Sequence, residues 1–249
     1  MDTGTTSDGA VDTEALRLAY EAVGERITGA CRRVGRDPAS VTVVAVSKTV
    51  PIERLRAAIA AGISTLGENR VQEAAAKIVA LPAASWHLVG PLQSNKARRA
   101  VELFDVIESV DSVDIARRLD RLSVELRPGL STRVLLEVNV DDDPAKTGFA
   151  PGAVEAALDD VLALSGLAVE GLMTVGRLVP IAEDARPTFR ALRALSERLR
   201  SRHPGLGADL SMGMTDDFEV AGEEGATIVR VGRAIFGERR RDGSVDSPA

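Results

Sequence analysis

Eight short strand-like runs, each followed by apolar residues at helical spacing, constrain this chain more than any other feature of its sequence. The runs fall at 42–47, 63–66, 85–89, 105–109, 133–140, 169–174, 208–212 and 227–231. In the first, residues Val43-Val44-Ala45-Val46 are apolar at every position, as a strand covered on both faces requires. Helical spacing follows in Ile52, Leu55, Ala58 and Ile59, and again in Val113, Ala116, Leu119 and Leu122. A further helical stretch, from roughly Thr13 to Val34, precedes the first run. Such alternation implies parallel strands, and eight units in 249 residues fit an α/β fold, a single (β/α)8 TIM-type barrel with an extra N-terminal helix. An open doubly wound sheet fits less well, because no GxGxxG turn follows the first strand. No linker divides residues 35–237. Small and polar residues dominate 1–11 and 239–249, so both are expected to be disordered tails around a folded unit at 12–238.

Composition removes several classes of function. A net charge of -6 and 3% aromatic residues argue against nucleic acid as a partner. The arginine runs are short, lie among acids, and read as solvated helix faces or tail. The one cysteine, Cys31, cannot form an internal disulfide and falls in a helical pattern as a packing residue. No apolar stretch reaches the length of a membrane span, and the first residues lack the basic start and apolar run of a signal peptide. A cytoplasmic protein without membrane contact is expected.

Barrel sites are built at the carboxyl ends of strands, and that is where the unusual residues map. Only four of the 31 basic residues are lysines: Lys48, Lys77, Lys96 and Lys146. Lys48 ends the first strand, and an amine desolvated there has its pKa pulled toward neutrality, which an imine with an aldehyde requires. Asn69 follows strand two, His87 lies in strand three, and Lys96 and Lys146 fall in the loops after strands three and five. Strand seven runs into Ser211-Met212-Gly213-Met214-Thr215, and strand eight into Arg230-Val231-Gly232-Arg233. Barrels often hold phosphate between those two loops, where Gly213 and Gly232 would let the backbone approach and Ser211 and Thr215 would add hydroxyl donors. Taken alone, the loop pair is also ordinary turn chemistry. A carbonyl-binding lysine beside a phosphate cradle suits pyridoxal 5'-phosphate, and Arg230, on the strand that closes against the first, would reach the same ring.

The segments AVSKT at 45–49, GENRVQE at 67–73, WHLVGPLQSNK at 86–96, GLMT at 171–174, LSMGM at 210–214, and VRVG at 229–232 with IFG at 235–237 carry a resemblance. In them the chain resembles the pyridoxal phosphate homeostasis proteins. The resemblance implies a fold-type III barrel similar to the amino-terminal domain of alanine racemase. It also implies Lys48 as the imine lysine, Arg230 at the pyridine nitrogen, and Ser211, Thr215, Gly232 and Arg233 around the phosphate. Asn69, His87, Met212 and Gly213 complete the expected cofactor-binding set. Arg233 stands where that family commonly has threonine, and Thr215 where it has serine.

The function implied is storage and delivery of pyridoxal phosphate in the cell, with amino-acid and keto-acid balance, no committed turnover, and cofactor-requiring apoenzymes as partners. Two other readings stand beside it. A slow amino-acid racemase would need an acid opposite Lys48, such as His87, in place of the tyrosine that racemases draw from a second domain; the single tyrosine here, Tyr20, lies in the leading helix. A lysine-dependent aldolase would use the same imine without a cofactor. With only two histidines, and Asp141-Asp142-Asp143 read as a solvated loop, a metal centre is not expected. Lys96 or Lys146 is a candidate second acceptor of released cofactor, and a monomer is expected.

Overall fold

In the computed structural model, which describes residues 6–177 and 179–238, eight parallel strands pair in sequence order and the last returns to the first. They are β1 (Thr42–Val46), β2 (Thr65–Glu68), β3 (Ser85–Leu88), β4 (Val106–Val110), β5 (Thr132–Glu137), β6 (Leu167–Met173), β7 (Asp209–Ser211) and β8 (Ile228–Val231). β8 closes on β1 from Thr42 opposite Ile228 to Ala45 opposite Val231, so no sheet edge is left bare.

Around the strands lie α1 (Thr6–Arg33), α2 (Ile52–Ala60), α3 (Val71–Ala80), α4 (Ala97–Leu103), α5 (Val113–Leu126), α6 (Pro151–Leu162), α7 (Arg186–Arg202), α8 (Phe218–Glu223) and α9 (Arg233–Phe236). Local chemistry sets their ends. Ser112 caps α5 by accepting the Ile115 N–H, and Pro151 opens α6 where its missing N–H costs nothing. α1 covers the closing seam from outside, pairing Arg26 with Glu219 and Arg33 with Glu223 of α8.

Two apolar cores result. The larger lies between strands and helices and includes Trp86, Phe104, Phe189 and Phe218. Cys31 is buried there, its thiol pKa pushed up by burial, which suits packing and not reactivity. The smaller core, Val44, Val89, Leu135, Met173 and Ile228, fills the barrel interior. Because side chains alternate along a strand, membership of one core or the other fixes which residues point inward.

Two element boundaries differ from the sequence expectation. The run at 63–66 becomes a strand only from Thr65. Gly62, at φ 93°, ends α2 in a Schellman turn, in which Ile63 N–H returns to Ala58 O, so Ile63 seals the helix end. α1 begins at Thr6, not near Thr13, so part of the expected tail is helical; extending a helix already nucleated by packing costs little. The rest of the expected tails, 1–5 and 239–249, lies outside the described residues. Among the described residues no helix is long and apolar enough to cross a membrane.

Candidate functional site

The carboxyl-terminal mouth of the barrel is assembled from inward positions of several strands. On β1, Val44 belongs to the interior core and Ala45 to the outer one; Lys48 continues the inward series Val44, Val46 in the turn just past the strand. Lys48 is half-buried, and Thr49 beside it has φ 65°, a left-handed backbone that a β-branched residue rarely adopts. The same sorting turns Gly67 and Asn69 of the β2 end inward, with His87 of β3, Ser211 of β7, and Arg230 and Gly232 of β8.

Below the mouth, these inward residues form a buried polar cluster. Arg230 donates to Ser211 Oγ at 2.6 Å and to the Thr174 carbonyl at 2.8 Å. Ser211 Oγ in turn donates to Glu108 Oε2 at 2.5 Å, and His87 Nδ1 stands 2.6 Å from Glu108 Oε1. Burial on its own would raise the Glu108 pKa, but the His87 bond, the His87 and Arg230 charges and the Ser211 hydroxyl outweigh it and hold the carboxyl below its ordinary value. Glu108 is therefore an anion that only accepts, and His87 Nδ1 must carry the proton between them. Arg230 is 5% exposed, and burial pulls its pKa below the ordinary value. Its two hydrogen bonds leave part of a five-donor guanidinium for a further acceptor.

Glu137 of β5 is a second carboxyl facing the interior. It accepts from Thr147 Oγ1 at 3.0 Å, and burial raises its pKa despite that bond. Sequence reasoning missed both Glu108 and Glu137. The signal was a charged residue inside an apolar run, Val106-Ile107-Glu108, which a fully buried strand tolerates only with partners. It also missed Glu68 and Lys77, whose side chains meet in the outer layer at 2.7 Å.

The loops after β7 and β8 meet over the closing seam. Met214 N–H is capped by Asp217 Oδ1 at 2.6 Å, and burial raises the Asp217 pKa. Arg233, at the first position of α9, pairs with Asp216 across the two loops. Half-buried Thr215 lies in the same turn. The reason for glycine at 213 differs from the expected one. Gly213 has φ 91°, and a Cβ there would sit 2.5 Å from Ala221 Cβ, so the position packs against α8. Gly232 faces β1, where a Cβ would lie 3.3 Å from Val46 O.

The Met212 side chain is fully buried in the outer core, one step out of phase with Ser211, so it faces the helices and leaves only the backbone of this expected site residue for the mouth. Lys96 ends a single turn (Ser94–Lys96) after β3 and is half-buried. Lys146 donates to Val175 O at 3.0 Å and lies within 4 Å of Asp141 and Asp143. His203 ends α7 and meets Asp159 on the surface. Among the described residues no group of three or more His, Cys, Asp or Glu is arranged to hold a metal.

The chain matches the family profile described as "Alanine racemase, N-terminal domain" over residues 21–240. It is 44% identical over 220 residues to a "Pyridoxal phosphate homeostasis protein" of Pseudomonas aeruginosa, covering 87% of this chain and 93% of that one. Its counterpart in Aquifex aeolicus is 39% identical over 218 residues, covering 87% and 95%. This chain belongs to the pyridoxal phosphate homeostasis proteins. A solved member of this kind, PipY of Synechococcus elongatus with PLP bound, superimposes with a TM-score of 0.75 at 42% identity, covering 86% of this chain and 100% of that one. The homeostasis-protein resemblance read from the motifs and the (β/α)8 barrel expected from the strand count both hold.

Proposed function

We propose that this protein binds pyridoxal 5'-phosphate at the carboxyl-terminal mouth of the barrel and serves cofactor balance in the cell, without committed turnover. One observation carries the reading: Lys48, in the turn that ends β1, and the buried guanidinium of Arg230 on β8 belong to adjacent, directly paired strands that open at the same end of the barrel. The donor set fits the group. An amine, a seated cation and a loop pair with a surface arginine match an aldehyde, a ring nitrogen and a phosphate.

When bound, the cofactor supplies an aldehyde that joins a primary amine with loss of one water. Lys48 provides that amine. Arg230, held by Ser211 and Thr174, would present positive charge to the ring nitrogen and disfavour its protonation, weakening the ring as an electron sink. Arg233 and Thr215 would hold the phosphate, while Asn69 and His87 line the mouth.

The position of Tyr20 supports low turnover. It lines a depression with Thr42 and Thr65, the first residues of β1 and β2, so it lies at the opposite end of the barrel from Lys48 and cannot act as a racemase's second base. His87, bound to Glu108, is a poor substitute. Delivery to apoenzymes, a monomeric state and a cytoplasmic location belong to the same proposal.

The test is a visible spectrum with and without the cofactor, followed by borohydride reduction and peptide mapping. Wild-type protein should gain the absorption of lysine-bound cofactor and carry reduced label on Lys48, and Lys48→Ala should lose both. A colourless wild-type protein, or label absent from Lys48, sinks the reading.

A further inference from the structure

Behind Lys48, on the helix side of the sheet, lies a second buried ionic group. Lys77 of α3 is 8% exposed and Glu68 at the end of β2 is fully buried. Lys77 Nζ donates to Glu68 Oε1 at 2.7 Å and to the carbonyl of Ser47 at 2.8 Å. Ser47 Oγ donates to the same Glu68 oxygen at 2.6 Å. That carbonyl belongs to the peptide joining Ser47 to Lys48. It also accepts Val50 N–H at 3.0 Å, which closes the turn containing Lys48 and Thr49. The turn needs holding, since Thr49 at φ 65° is strained for a β-branched residue.

The pair is an expensive way to fill this space. Glu68 Oε2 is buried with no hydrogen-bond partner, so the carboxylate is incompletely compensated. Apolar side chains of similar volume would pack the same layer with less desolvation. What they could not supply is a donor for the Ser47 carbonyl. Half of the chain's lysines thus converge on one turn, Lys48 from within it and Lys77 from behind it.

We propose that Lys77 is a positioning residue for Lys48: with Glu68 as its anchor, it clamps the Ser47–Lys48 peptide and holds the strained turn so that the Lys48 amine points into the mouth. The inference rests on the cofactor-binding reading above. Lys77 touches neither cofactor nor reacting atoms.

The experiment separates attachment from recognition. Pyridoxal phosphate and unphosphorylated pyridoxal report attachment at Lys48, through the visible band and borohydride label. Pyridoxine phosphate, which has the phosphate but no aldehyde, reports binding at the mouth without Lys48. In Lys77→Met, attachment of both aldehydes should slow about tenfold or more, while the affinity for pyridoxine phosphate stays within about twofold. Lys77→Arg, which keeps the charge and donors, should recover part of the rate. Because methionine leaves Glu68 buried without its cation, Lys77→Met/Glu68→Gln is measured in parallel, with thermal unfolding of each apoprotein to establish that it is folded; if neither folds, the partial loss expected for Lys77→Arg alone is read the same way.

Attachment rates equal to wild type, or an equal loss of pyridoxine phosphate affinity, overturn the proposal. A wild-type protein that takes up neither aldehyde defeats the cofactor reading instead, so the two failures are distinguishable.

Discussion

Two buried ionic clusters lie on opposite sides of the same sheet, and they are built differently. Inside the barrel, both oxygens of Glu108 are used, and the cluster draws on β3, β4, β7 and β8 at once. Outside it, Glu68 crowds two donors onto Oε1 and leaves Oε2 bare. The inner cluster is a network in which every carboxylate oxygen is matched and only Arg230 keeps donors to spare. The outer one is a single ion pair spent on one backbone carbonyl. A buried charge can therefore be kept for its neighbours or for the chain segment it grips, and the hydrogen-bond pattern distinguishes the two.

The largest effect should come from breaking the inner cluster. Arg230→Met leaves the Glu108 anion without its buried cation and strands the Thr174 carbonyl, at an expected cost of about 3–5 kcal/mol in urea unfolding. A loss under about 1 kcal/mol would mean the inner cluster is no better knit than a surface pair.

Removing both charges sharpens the contrast. Lys77→Met/Glu68→Gln takes out the outer ion pair and should change stability by no more than about 1–2 kcal/mol. Arg230→Met/Glu108→Gln leaves Ser211, His87 and Thr174 with unmatched polar atoms and should remain well below wild type.

The interior also holds two carboxyls that should respond to pH with opposite sign. Glu108 is depressed in the fold, so its contribution is present above its ordinary value of 4.5 and is lost as pH falls through its folded pKa. Glu137 is raised by burial, so its contribution is complete below 4.5 and is lost as pH rises through its folded pKa. Urea midpoints across pH should show Glu108→Gln converging on wild type in acid. Glu137→Gln should gain on wild type toward neutral pH. Parallel curves for the two variants would show that the two sites share one electrostatic environment.

The smallest effect belongs to the latch between the two seam loops. Arg233 and Asp216 are 48% and 66% exposed, so Asp216→Asn should shift stability by less than about 1 kcal/mol. Freed from Asp216, Arg233 should hold inorganic phosphate or pyridoxine phosphate more tightly, which isothermal titration would detect.

The barrel was legible in the sequence because strands covered on both faces leave short, mostly apolar runs, and each of the eight runs contains or overlaps a strand. Lys48, Asn69, His87, Ser211 and Arg230 were legible as residues at or near strand ends. What the runs could not convey was phase: Met212 directly follows the inward-facing Ser211, and a one-residue step decides which layer its side chain enters. Glu68 and Lys77 were hidden for another reason. They are nine residues apart in the chain, and only the packing of α3 on β2 brings them within 2.7 Å of each other. The scarcity of lysine was the one clue that singled out Lys77, and it does not reveal what the side chain grips.

The way α1 covers the closing seam has a consequence for biogenesis. Arg26 meets Glu219 of α8 across a sequence separation of 193 residues, so the helix synthesised early can pack on α2 at once but must wait for α8 and α9 before its seat is complete. Until then part of its apolar stripe is uncovered on the nascent polypeptide, a natural point for chaperone capture during translation.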